Sequence, residues 1–115
     1  MTSIAITLAG AASAHAAAVP PEGASCQAGQ FCYWPEAQFP GEPRVLDVDQ
    51  TRENVCIPLP HNAEARSFVN RMHREITLYE GAHCSTEGDF RTYPGDGTYV
   101  PDAPYVVRAA EVWNS

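Results

Sequence analysis

Between Phe31 and Trp113 the apolar positions come in short runs, most of them rich in β-branched or aromatic residues and separated by Pro, Gly or Asp. Such runs predict strands over Phe31–Trp34, Arg44–Val48, Val55–Ile57, Ser67–Asn70, Ile76–Glu80, Phe90–Tyr93, Tyr105–Arg108 and Glu111–Trp113. Ile76 and Leu78 alternate with Thr77 and Tyr79, the period of a strand with one buried face. Pro94-Gly95-Asp96-Gly97 marks a turn. So many short strands in so short a chain point to an all-β sandwich. One stretch competes: Ala65, Phe68, Val69 and Met72 fall at i, i+3, i+4 and i+7 behind Asn62, a fitting helix N-cap. A repeat decides for the strand. Phe31–Ala37 lies on Ile76–Ala82 at an offset of 45, and Ala65–Asn70 on Ala109–Asn114 at an offset of 44, the mark of a duplicated unit. Ala109–Asn114 has no helical period and reads as strand, so its mate does too.

The start of the chain has another character. No charged residue precedes Glu22, Ile4–Ala9 is an apolar centre, and small residues run on to Ala18. Ala14-His15-Ala16 and Ala16-Ala17-Ala18 both offer the small-x-small pattern of a signal-peptidase site. The stretch is too rich in Ala and polar residues for a membrane span. Residues 1–18 are therefore read as a cleaved signal peptide, truncated at its start because the usual basic opening is missing. Residues 19–25 read as a flexible linker, and 26–115 as a single domain with units of about 26–72 and 73–115.

Export changes how the four cysteines are read, since an even count in a small exported domain means two disulfides. Three pairings exist. A local Cys26–Cys32 bridge is natural, with Gly29 free to turn between them, and it leaves Cys56–Cys84 to close a longer loop. Charge narrows the partners. Fourteen acids face seven bases, all of them Arg, for a formal charge of −7. Neither nucleic acid nor an anionic membrane suits a chain without a cationic face. Ten prolines leave little room for long helices, while 44% hydrophobic residues suffice to order the chain.

An aromatic strand, then Phe39-Pro40-Gly41, then Ser67 near the last strand of the unit resembles a βγ-crystallin Greek key. The resemblance implies that Gly41 forms the bend of a folded first hairpin and that the Ser67 hydroxyl binds the bent backbone, with Phe39 as the bend's aromatic. The wider order is Cys26-x5-Cys32-Tyr33-Trp34, Phe39-x-Gly41, Cys56, Arg66–Arg71 and Leu78-Tyr79. It is similar to the secreted actinobacterial peptidase inhibitors typified by the Streptomyces metalloproteinase inhibitor. The likeness runs from Cys26 to Trp113 and implies a βγ-crystallin-like Greek-key sandwich of two four-stranded units stapled by disulfides. It also implies a secreted, monomeric, non-enzymatic inhibitor without cofactor, whose partner is an extracellular protease, a metalloprotease by the family's type. The second unit departs from the pattern: Cys84 stands in the place of Phe39, Thr86 in that of Gly41, and Glu111 in that of Ser67.

Other chemistries fare worse. The calcium pattern of βγ-crystallins would fall on Asn62–Ser67, where Ala63 and the cationic Arg66 occupy ligand positions. His61, His73 and His83 show no ligand spacing. No Gly-x-Ser-x-Gly elbow, His-Glu-x-x-His pair or phosphate loop is present, and a bridged Cys84 beside His83 is no nucleophile. Arg66, Arg71, Arg74 and His73 are expected to pair with acids such as Glu64 and Glu75. The acids Glu36, Glu42, Asp47 and Asp49 read as a solvated face. By the resemblance the inhibitory loop is Gly81–Phe90, centred on His83, Cys84 and Ser85. It holds only one Cys, so its tie must run to Cys56, and Ser85 is not the bulky apolar residue that thermolysin-type enzymes favour after the cleaved bond. The alternative expectation is a secreted or cell-surface structural module that kept the fold without inhibition.

Overall fold

The computed structural model describes residues 26–46 and 54–113. The expected signal peptide and linker, Asp47 to Asp49, and Asn114 lie outside the described residues. The strands are β1 (Phe31–Trp34), β2 (Arg44–Leu46), β3 (Cys56–Pro58), β4 (Ser67–Asn70), β5 (Ile76–Tyr79), β6 (Phe90–Tyr93), β7 (Thr98–Val100) and β8 (Ala109–Val112), with one 3-10 turn at Pro60–Asn62. They form two antiparallel four-stranded sheets, ordered β2-β1-β4-β7 and β3-β8-β5-β6. Each sheet takes three strands from one half of the chain and an edge strand from the other half. β3 leaves the first half for the second sheet, and β7 makes the reverse crossing. Neither half can peel away without breaking a ladder.

The ladders correct the register of the repeat. Phe31 faces Asn70 and Trp34 faces Ser67, while Ile76 faces Val112 and Tyr79 faces Ala109. With Phe31 matched to Ile76, the counterpart of Ser67 is Ala109 rather than Glu111, two residues from where the sequence match put it. The backbone bonds agree. Arg66 N–H donates to Trp34 O as Arg108 N–H does to Tyr79 O, and Gly97 N–H donates to Asn70 O as Asn54 N–H does to Val112 O. Ala65 and Val107, counterparts in this register, exchange both backbone bonds at 2.9 Å across an approximate two-fold.

One expected strand fails and one observed strand was not expected. Tyr105–Arg108 is not a ladder strand; only Val107 bridges, to Ala65. Its apolar character reflects burial at the two-fold, where Val107 is inside and the Tyr105 hydroxyl donates to Leu78 O at 2.6 Å. Thr98–Val100 is a strand instead, a run of three between Gly97 and Pro101 that is too short to show a period. The helical spacing from Ala65 to Met72 is not used, because both faces of β4 are buried.

The main core lies between the sheets. Phe31, Tyr33, Leu46, Phe68, Ile76, Leu78 and Val112 are central to it, and burial of each such side chain contributes about 1.5–3 kcal/mol. A second cluster of Cys26, Cys32, Trp34, Phe39 and Val69 covers the opposite face of β1, as strand alternation requires. At the joint of the halves the buried Asn70 amide donates to Arg74 O (3.0 Å) and Pro94 O (3.1 Å) and accepts from Met72 N–H. Gly95 is obligatory there: a Cβ would stand 2.4 Å from Met72 O.

Candidate functional site

The β1–β2 bend is closed from within. Phe39 has φ 56° and Gly41 φ 74°, left-handed values that reverse the chain sharply. The Phe39 ring meets Trp34 edge-on at 5.1 Å, and Trp34 Nε1–H donates to Gly41 O at 3.0 Å. The Ser67 hydroxyl accepts from Phe39 N–H (3.1 Å) and donates to Glu36 O (2.7 Å). Cys26 and Cys32 are bonded beside it. The Ser67 hydroxyl and the Trp34 indole N–H are both spent on the fold.

The equivalent loop between β5 and β6 keeps one left-handed residue at the matching position, without the left-handed Gln38 and Gly41 of the first bend, and changes the chemistry. Cys84, at the position of Phe39, has φ 60° and is bonded to Cys56 on β3. Ala109, in the place of Ser67, offers only a methyl. Tyr79, in the place of Trp34, donates its hydroxyl to Glu111 Oε1 at 3.0 Å. Burial, then this carboxylate, hold its ionisation above the ordinary tyrosine range. The ring against Tyr79 comes from Phe90 at the start of β6, stacked at 5.8 Å.

The loop is ordered yet exposed. Its stem is tied by Glu80 N–H to Asp89 O (2.9 Å), and the Glu80 carboxylate accepts from Asp89 N–H (3.3 Å). Inside it, Cys84 N–H donates to Gly81 O (3.2 Å) and Glu87 N–H to Ser85 Oγ (3.1 Å). Arg108 fastens the base, donating to Glu64 Oε2 (3.1 Å) and to Glu80 O (3.2 Å). His83 and Ser85 face solvent and Cys84 is half-buried. A cavity of about 180 Å³ separates Ala82 from the Pro58–Glu64 turn. At the matching place in the first half Gln38 N–H donates to Pro101 O (2.8 Å), and among the described residues no such bond joins His83 to Pro58.

The other candidate residues lie elsewhere. Glu64 pairs with Arg108 rather than Arg66, because the loop-base arginine reaches it across the two-fold. Arg71 donates to Cys26 O (2.7 Å), and His73 shares a 2.6 Å contact with Asp96. Both line a shallow hollow of about 340 Å³, away from the loop. Arg108 and Phe90 were not singled out by the sequence reading. Phe90 could have been found as a large apolar residue directly after the polar Gly88-Asp89 pair; Arg108 carried no such signal. Chemically the site offers no free thiol, since Cys84 is bridged. It offers an exposed, covalently tethered stretch of backbone.

A sequence model described as peptidase inhibitor family I36 matches residues 19–91, a span that takes in the whole loop. No curated protein and no solved structure matches the chain.

Proposed function

Because the chain belongs to peptidase inhibitor family I36, we propose that it is a secreted inhibitor of an extracellular protease of the thermolysin-like metallo type, blocking the cleft with Gly81–Phe90. The observation that carries this reading is the exposed loop inside the matched span, held by Cys56–Cys84 and by Arg108 at its base. A loop ordered before it docks loses little entropy on binding. The exchange of β3 and β7 between the sheets supports a βγ-crystallin-like Greek-key reading of the fold. On that reading Phe39, Gly41 and Ser67 belong to the fold, while His83, Cys84 and Ser85 belong to the inhibitory surface. Two disulfides fit an oxidising compartment. The family match opens at residue 19, directly after the expected signal peptide. The test is titration of the oxidised chain against a thermolysin-like protease, following peptide hydrolysis. Stoichiometric loss of activity at nanomolar concentration is expected. Unchanged activity of a panel of secreted metallo- and serine proteases at micromolar chain overturns the proposal and leaves an interaction module of the same fold.

A further inference from the structure

The two halves place an aromatic ring against the same β-strand position and treat it in opposite ways. In the first half the ring on Trp34 is Phe39, which is 1% exposed and part of the second core cluster. In the second half the disulfide at Cys84 has taken over the fastening of the bend. The ring on the matching Tyr79 is Phe90, which is 48% exposed. Phe90 is the most exposed of the large hydrophobic side chains among the described residues, and it sits at the foot of the loop. The others, Val45, Val55 and Tyr99, lie on or beside other strands.

We propose that Phe90 is the specificity-determining side chain of the inhibitory surface, filling an apolar pocket in the cleft of the target protease. The inference rests on the inhibitor reading above and deepens it. Three observations carry it. The expected loop centre, His83, Cys84 and Ser85, contains no large apolar group, so it cannot supply the buried anchor on which tight interfaces depend. Phe90 is already oriented: its ring stacks on Tyr79, itself fixed by Glu111, so little side-chain freedom is lost when it docks. Finally, β6 is the outermost strand of its sheet, so no other strand shields Phe90 from an approaching enzyme. The occupant this fits is a protease with an apolar pocket beside its catalytic groove.

The experiment compares inhibition constants of the oxidised full chain against a thermolysin-like protease for wild type, Phe90→Ala, Phe90→Thr, Phe90→Leu and Ser85→Ala. Thermal unfolding of each variant runs alongside. Loss of inhibition by about 100-fold is expected for Phe90→Ala and Phe90→Thr. Phe90→Leu should stay within about tenfold of wild type and Ser85→Ala within about threefold. Thr is a good strand former, so its loss in a folded chain separates binding from structure. Inhibition by folded Phe90→Thr equal to wild type overturns the assignment, as does a greater loss from Ser85→Ala than from Phe90→Ala. A wild-type chain that inhibits no protease removes the reading beneath, and the inference falls with it.

Discussion

The bends at Phe39 and Cys84 share a left-handed residue at the matching position, with φ 56° and 60°, but different forces keep them there. The first is held by a packed Trp34–Phe39 pair and two hydrogen bonds to Ser67. The second is tied to the rest of the fold by the Cys56–Cys84 bond, with Ala109 where the serine would be. Packing demands burial, and Phe39 is accordingly inside. A disulfide needs no such burial, so the second bend is free to project. Freeing one of two equivalent corners from the core is how a symmetric scaffold gains an exposed loop without losing its order.

The comparison breaks first at Phe39. Phe39→Ala removes a fully buried ring and should cost about 3–5 kcal/mol in urea unfolding. A cost under about 1 kcal/mol would mean that the first bend is not held by packing. Next comes the bridge. Replacing Cys56 and Cys84 together with Ser should cost about 3.5 kcal/mol on the chain-entropy model. Amide exchange should rise across Gly81–Asp89 and stay low across Glu36–Gly41. An equal rise in both bends would show that the second is not independently tethered.

Legibility in the sequence follows the same divide. Seven of the eight strands announced themselves, at least in part, through β-branched and aromatic runs, because a sheet packed on one or both faces needs those residue types wherever it runs. β7 is only three residues long and gave no period. Tyr105–Arg108 looked like a strand because burial at the two-fold demands the same apolar residues as a ladder. The first bend could be read from Phe39, Gly41 and Ser67, since each is required by geometry. The second bend resisted: a disulfide fastens it, and Phe90, though marked as a large apolar residue directly after Gly88-Asp89, gave no sign in sequence that it is exposed. The two-residue error in the repeat has the same root. Ser67 was matched to Glu111 by sequence likeness, whereas the true counterpart, Ala109, has lost the chemistry that would have marked it.

That loss gives the third test. Ser67→Ala leaves Phe39 N–H and Glu36 O without their partner in a buried corner and should cost about 2 kcal/mol. Ala109→Ser adds a hydroxyl at a position with no solvent exposure, beside a bend already fastened by sulfur. It should give no gain in urea stability and no protection of Gly81–Asp89. A gain comparable to the loss from Ser67→Ala would show that the second corner still has the donor and acceptor of the first.

The smallest effect separates Trp34, which does not titrate, from Tyr79, which does. Burial, reinforced by Glu111, raises the Tyr79 ionisation above the ordinary tyrosine value of 10.0. Tyr105, half-buried, is raised as well, by desolvation first and by its neighbour Tyr93 second. In the unfolded chain both ionise near the ordinary value, so above it the unfolded state holds fewer protons than the folded one and stability falls as pH rises. Below pH 10 the contribution is fully present; it drains away between that point and the folded-state values. Tyr33 in the first half is raised by burial too, so the global decline alone does not discriminate. Local exchange does: as the pH passes the raised folded-state value of Tyr79, the Tyr79–Glu111 contact becomes repulsive, and after correction for the intrinsic rate Gly81–Asp89 should lose protection before Glu36–Gly41. Tyr79→Phe should abolish that difference while leaving the first bend unchanged. Simultaneous loosening of both bends would place the alkaline sensitivity in the shared core instead of the second corner.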